Sequence, residues 1–163
     1  MFAHLGAVAA YARRRGSRDA DAVAAEVMTI AWRRLSDVPR DDPRPWLYAT
    51  ARNLVRADAR RSARAAAHGA GHPGEPAPQP EIPELDPVLA EALRTLSHLD
   101  REALLLVAWE DLTPTQAARS LGINPTAFRV RLLRARRRLR ARLDEASSAN
   151  GHDETTHLDL ETT

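Results

Sequence analysis

A proline- and glycine-rich segment in the middle of the chain sets the strongest limit on the fold. Between residues 66 and 84 there are five prolines and three glycines. Such a composition cannot bury enough apolar surface to offset the entropy lost on ordering. The sequence therefore predicts a disordered linker over 65–84. It separates an N-terminal domain over 1–64 from a second domain over 85–145, and an acidic tail over 146–163 is predicted to be disordered.

Both folded parts have the apolar spacing of amphipathic helices. In the stretch 20–35, Val23, Val27 and Ile30 recur with helical periodicity. A further helix is predicted from about Pro45 to Arg64, after a loop in which three prolines exclude helix. Trp32 and Trp46 fall on apolar stripes, which favours core packing over base stacking. We expect an all-α fold of two small helical domains.

Composition excludes several classes of protein and site. No run of about 18 apolar residues occurs, so no transmembrane helix is predicted. The N-terminus lacks the pattern of a secretion signal, and a cytoplasmic location is the expectation. The chain has no cysteine, which removes disulfides and thiolate metal sites. No cofactor and no metal site are predicted.

The charge is unevenly distributed along the chain. Residues 1–64 contain 13 arginines and 7 acidic residues, and residues 85–142 contain 11 arginines and 6 acidic residues. The linker and the tail contain acidic residues but no arginine. Basic surfaces of this kind commonly meet nucleic-acid phosphates. All 24 basic residues are arginine, and a genome rich in G and C would produce the same bias. Only the position of the arginines can therefore distinguish a nucleic-acid-binding surface from a compositional bias of the genome.

Two consecutive helix starts define a helix-turn-helix in the second domain. Thr113 followed by Pro114 is an N-cap and first-turn pair, and Asn124 followed by Pro125 repeats it. Gly122 lies between the two predicted helices, where left-handed backbone dihedrals are commonly needed. Small and large apolar residues follow the spacing that packs two helices across a tight turn.

The second of these helices carries eight arginines between Arg129 and Arg142 and no acidic residue. The first turns of a recognition helix enter the major groove, where arginine can pair with guanine and apolar groups can touch the thymine methyl. The residues predicted to contact DNA there are Thr126, Arg129, Val130, Arg131, Leu133 and Arg134. The alternative is a solvated basic helix in a bundle.

In its order of motifs the chain resembles an extracytoplasmic-function (ECF) type sigma factor of bacterial RNA polymerase. The first domain contains the matching stretches DADAVAAEV, AWRRL and PWLYATARNL, the last followed by Arg60-Arg61. The second contains LSHLDREA, LTPTQAA and RLLRAR. The resemblance covers about 120 of the 163 residues.

The resemblance implies an alternative sigma factor that directs core RNA polymerase to promoter DNA. It implies that the first domain docks on the polymerase clamp, through Asp21 and Glu26, and opens the −10 element. Its DNA contacts there would be Asn53, Arg56, Arg60 and Arg61, beside the loop near Arg40–Arg44. The second domain would read the −35 element. An anti-sigma factor is a further partner that the family suggests, and no membrane insertion is expected.

Two other classes of function stay open at this point. A stand-alone helix-turn-helix regulator needs only residues 85–143, but it leaves the segment from Trp46 to Arg61 unexplained. A nuclease could use Asp19, Asp21 and Glu26 with His68 or His72. Helix capping already accounts for those acids, and the histidines lie in the predicted linker, so no enzymatic activity and no catalytic residue are predicted.

Overall fold

The computed structural model describes residues 2–67 and 85–156. The part of the chain that it describes contains seven α-helices after a short 3-10 turn at Phe2–His4, and no strand. The prediction of an all-α fold is confirmed. The helices are α1 (Leu5–Arg14), α2 (Ala20–Arg33), α3 (Arg44–Ala67), α4 (Pro87–Thr95), α5 (His98–Ala108), α6 (Pro114–Leu121) and α7 (Pro125–Thr156).

Helices α1, α2 and α3 pack on one another and form the N-terminal domain. Helix α2 starts where the sequence predicts, because the Asp19 carboxylate accepts a 2.8 Å hydrogen bond from the backbone N–H of Ala22. At the centre, the rings of Tyr11 and Tyr48 stack with centroids 5.0 Å apart. The linker-side end of α3 continues to Ala67, three residues beyond the predicted end, and residues 68–84 lie outside the described ranges.

The two tryptophans behave differently from one another. Trp46 is partly buried against the core, as predicted. The prediction for Trp32 is wrong, because its side chain is 74% exposed. The buried stripe of α2 consists of Ala24, Val27 and Ala31 together with Met28. Trp32 follows Met28 by four positions and therefore lies at the edge of that stripe, about 40° beyond Met28.

The second domain is organised around α7, which contacts α4, α5 and α6. Helices α4 and α5 begin at side-chain caps from Asp86 and Ser97. The Arg101 guanidinium donates hydrogen bonds to the carbonyl oxygens of Leu93, Arg94 and Leu96, which satisfies acceptors at the end of α4. These hydrogen bonds join α5 to the end of α4, and α7 packs against both helices.

Helix α7 is longer than the sequence indicates. It runs to Thr156, so residues 146–156 are helical where a disordered tail is predicted; residues 157–163 lie outside the described part. The chain has no proline after Pro125, and nothing therefore interrupts the backbone hydrogen bonds. Within residues 2–67 and 85–156, no helix is long and apolar enough to cross a membrane.

The two domains lie in contact. Helix α3 of the first packs against α6 of the second, and buried apolar residues of both belong to one continuous cluster. The sequence indicates two bodies and a linker but nothing of this contact. The arrangement decides which faces of each domain are available to a partner.

Candidate nucleic-acid interface

The helix-turn-helix forms as the sequence predicts, and its local contacts explain why. The Thr113 hydroxyl accepts from the Gln116 N–H at 3.3 Å, and the Gln116 side-chain oxygen accepts from the Thr113 N–H at 2.8 Å. This reciprocal capping box fixes the start of α6. Gly122 ends the helix in the left-handed conformation, with φ +67°. The Asn124 carboxamide oxygen then accepts from the Thr126 N–H at 2.7 Å, at the start of α7.

Helix α7 has one buried and one exposed face. Phe128, Leu132 and Ala135 are buried against the domain. Five of the six predicted −35 contacts are exposed on the other side: Thr126, Arg129, Val130, Leu133 and Arg134. Val130 and Leu133 are 43% and 50% exposed, and because they are three residues apart they lie side by side on the exposed face of α7.

Arg131 differs from these five because it has a partner within the protein. Its Nη1 donates to Asp100 Oδ1 at 2.9 Å, and Arg138, almost two turns farther along, donates to the other oxygen of the same carboxylate. Asp100 is 2% exposed. One buried carboxylate of α5 thus holds two arginines of α7 and orients the helix.

Replacing Asp100 by asparagine tests this anchor. Asp100→Asn keeps the shape but removes the charge, and hydrogen bonds to charged groups contribute about 1.5–3 kcal/mol each. We expect the free energy of unfolding to fall by about 2 kcal/mol in chemical denaturation. The matched control is Asp58→Asn, whose partner Arg61 is 73% exposed and whose loss should cost about 0–1 kcal/mol. Equal losses for both would contradict the anchoring role.

The predicted −10 contacts lie along α3 and are exposed. Asn53, Arg56 and Arg60 have exposed side chains. Arg61 is also exposed and forms a 3.0 Å ion pair with Asp58. Positions 53, 56 and 60 are three and four residues apart, which places them on one side of the helix. The arrangement forms a basic stripe along α3.

The loop before α3 and the predicted polymerase contacts are also on the surface. Asp21 and Glu26 are exposed on α2, and Asp21 lies 3.8 Å from Arg13. In the loop, Asp42 accepts a 2.6 Å hydrogen bond from the Gln116 side chain of the other domain. The loop therefore touches the helix-turn-helix directly.

A buried ionic cluster lies between α1 and the second domain, and no sequence pattern predicted it. Glu102 is 4% exposed and accepts from the Tyr11 hydroxyl at 2.7 Å and from Arg15 Nε at 3.0 Å. Glu110, 6% exposed, accepts from Arg14 at 2.6 Å and from Arg15 at 2.9 Å. Charged groups this deeply buried require partners, and here each domain supplies those of the other.

The cluster also sets the protonation of its members. Burial raises the pKa of Tyr11 well above its ordinary value, so its hydroxyl stays protonated and donates to Glu102. Burial alone would lower the pKa of Arg15, but Tyr11, Glu102 and Glu110 together raise it. Arg15 therefore stays charged between the domains.

Within the part of the chain that the structure describes, no three His, Asp or Glu residues are placed to hold a metal ion. Asp19, considered above for a nuclease site, is the cap of α2. His68 and His72 lie outside the described residues. The candidate nuclease residues are therefore not brought together in the described part of the chain.

Comparison with known proteins identifies similarity to sigma factors. The family model described as Sigma-70, region 4 matches residues 88–139, the segment that contains the helix-turn-helix. The fold is similar to that of the sigma factor RpoE from Bartonella quintana, solved with the anti-sigma factor NepR, with a TM-score of 0.66 and 22% identity over 88% of this chain and 93% of that one. No protein with a curated description matches the sequence.

Two further structures are similar over almost the same extent. CnrH, solved with the cytosolic domain of CnrY, has a TM-score of 0.61 and is 30% identical over 88% of this chain and 84% of that one. A chain of the PhyRSL–NepR complex from Sphingomonas sp. Fr1 has a TM-score of 0.61 and 23% identity, over 87% of this chain and 85% of that one. The similarity thus spans both domains.

Proposed function

This chain belongs to the ECF-type sigma factors of RNA polymerase, and we propose that its two domains divide one promoter between them. The second domain reads the −35 element through α7, and the first docks on the polymerase clamp and opens the −10 element. The observation that carries this proposal is the exposed face of α7, which presents both arginines and apolar side chains. The opposite face of the helix is buried against the domain.

The −35 role rests on the chemistry of that face. Arg129 and Arg134 have exposed guanidinium groups suited to guanine, and Val130 and Leu133 offer apolar contacts to thymine methyl groups. Thr126 lies in the first turn, where a recognition helix enters the groove. Arg131 is not expected to contact a base, because its guanidinium donates to Asp100.

The −10 role rests on the basic stripe along α3. Asn53 supplies an amide for hydrogen bonds to a base, and Arg56, Arg60 and Arg61 supply positive charge for the backbone. A positively charged surface that follows the backbone is one of the features by which proteins bind single-stranded DNA. Polymerase docking is assigned to α2, where Asp21 and Glu26 are exposed. The exposed Trp32 adds apolar area to that helix.

An anti-sigma factor is proposed as a further partner. The RpoE structure was solved with one, and the same two-domain fold is present here. The proposal assigns no catalytic step and no cofactor to this chain, because the polymerase carries out the chemistry.

Replacing Arg134 tests base reading. We expect Arg134→Ala to lower affinity for the preferred −35 sequence by about 1–3 kcal/mol, with the loss confined to one base position. A binding assay with single-base variants of the site measures this. The control, Arg137→Ala, removes the same charge farther along α7 and should weaken binding to all sequences alike. If Arg134→Ala lowered the affinity for scrambled DNA by the same amount, Arg134 would contact a phosphate and not a base.

Run-off transcription tests the whole proposal. Core RNA polymerase, the chain and genomic fragments are combined, and we expect specific transcripts only when all three are present. The same fragments then identify the −35 and −10 elements. Binding of a palindromic site by the chain alone, without any transcript, would instead establish a stand-alone regulator.

A further inference from the structure

A cleft lies at the junction of α1, α3 and α5, between the two domains. Its volume is about 210 Å³, and the residues that line it include Arg15, Arg52, Arg56, His98, Arg101 and Glu102. The first domain contributes the first three of these residues, and the second domain contributes the others. The cleft therefore exists only while the domains are packed together.

Two buried guanidinium nitrogens of the lining residues have no hydrogen-bond acceptor among the described residues. The Arg15 side chain is 8% exposed, and its Nε and Nη1 are bound to Glu102 and Glu110, but its Nη2 is buried without a hydrogen bond. The Nε of Arg52 is also buried without a hydrogen bond. A buried charged donor without an acceptor is costly and uncommon. Both nitrogens belong to arginines that line the cleft, so the chain leaves part of the hydrogen-bonding capacity of these two side chains unused.

The charges of the lining point to an anion. Four guanidinium groups face one carboxylate, Glu102, whose oxygens already accept from Tyr11 and Arg15. Arg101 is engaged with the backbone of α4, whereas Arg52 and Arg56 have no acidic partner among the described residues. A planar arginine fork is suited to phosphate oxygens, and several forks suit a multiply charged phosphate.

His98 reports on the same surplus of positive charge. Burial lowers its pKa; Glu102 opposes this, and Arg52, Arg56 and Arg101 lower it further. An anion bound beside it would act in the opposite direction. The histidine is thus a natural probe of occupancy.

We propose that this cleft binds a free phosphate-type anion through Arg15, Arg52 and Arg56, with His98 at its edge. Because both domains line the cleft, the bound anion stabilises their packed arrangement. This goes beyond the promoter roles proposed above, and Arg56 is the residue that it shares with the proposed −10 contacts.

Thermal unfolding of the full chain with pyrophosphate tests the proposal. At a concentration near a hundred times the Kd, we expect the Tm to rise by roughly 5–10 °C, and sodium chloride at matched ionic strength and pH should not reproduce the rise. Arg52→Gln with Arg56→Gln should abolish it. The control, Arg136→Gln with Arg137→Gln on exposed positions of α7, removes the same charge and should retain it. Equal rises in both double variants, or no rise in the unchanged protein, would overturn the proposal.

A second measurement does not rely on the variants folding. The pKa of His98, followed by NMR in the unchanged protein, should rise when pyrophosphate is added, and an unaltered value would contradict binding in this cleft. A short single-stranded oligonucleotide separates the two sources of phosphate. If the oligonucleotide shifts His98 and pyrophosphate does not, the cleft takes DNA backbone and the proposal of a free anion is wrong.

Discussion

Glu102→Ala is expected to lower the free energy of unfolding by about 3 kcal/mol, at the lower end of the range for removing one partner of a buried ion pair. The substitution leaves the Tyr11 hydroxyl and Arg15 Nε without their acceptor between the domains. The loss stays at the lower end because Glu110 still accepts from Arg15. Chemical denaturation at neutral pH measures it.

The same substitution should also loosen the contact between the domains. We expect a larger radius of gyration by small-angle scattering, because the ionic cluster joins α1 to the second domain. The control is Glu91→Ala, which removes an exposed pair with Arg94 and should change stability by about 0–1 kcal/mol. A Glu102 variant that resembles the Glu91 variant in both measurements would show that the cluster does not hold the domains.

Phe128→Ala is the second change with a large expected effect. The Phe128 side chain is fully buried in the first turn of α7, and truncating a buried phenylalanine costs about 3–5 kcal/mol. Since the same turn presents Thr126 and Arg129, specific promoter binding should fall together with stability. Denaturation and a DNA-binding assay on the same preparation measure both effects.

Val130→Ala is the matched control, because Val130 lies two residues farther on and is 43% exposed. It should change stability by no more than about 0.5 kcal/mol, while base recognition weakens if Val130 touches a thymine methyl. If Phe128→Ala lowered the free energy of unfolding by less than Val130→Ala does, the burial of the Phe128 face of α7 against the domain would be incorrect.

Several features of this protein could be derived from local sequence because their causes are local. The N-cap Thr113 followed by Pro114, the glycine at position 122 and the cap at Asn124 all act within one turn of the chain. They predicted both helices of the helix-turn-helix. The apolar spacing of Phe128, Leu132 and Ala135 likewise indicates which side of α7 is buried, because one helix face must pack against the rest of the domain.

Local periodicity was less informative at the edges of a stripe and at the end of a helix. Trp32 has helical spacing consistent with the core, but whether an edge position is covered depends on the neighbouring helix, and none covers it here. Helix α7 extends into a polar, acidic segment whose composition alone suggested disorder.

From the sequence by itself follow the all-helical class, the two basic domains, the helix-turn-helix and the family that its motifs indicate. Tertiary structure alone decided the pairing of Tyr11 and Arg15 with Glu102, residues that are 91 and 87 positions apart. It also decided that Asp100 holds Arg131. The physical reason is that a charge is buried only where a distant partner compensates its desolvation, and no local pattern in the chain records which partner that is.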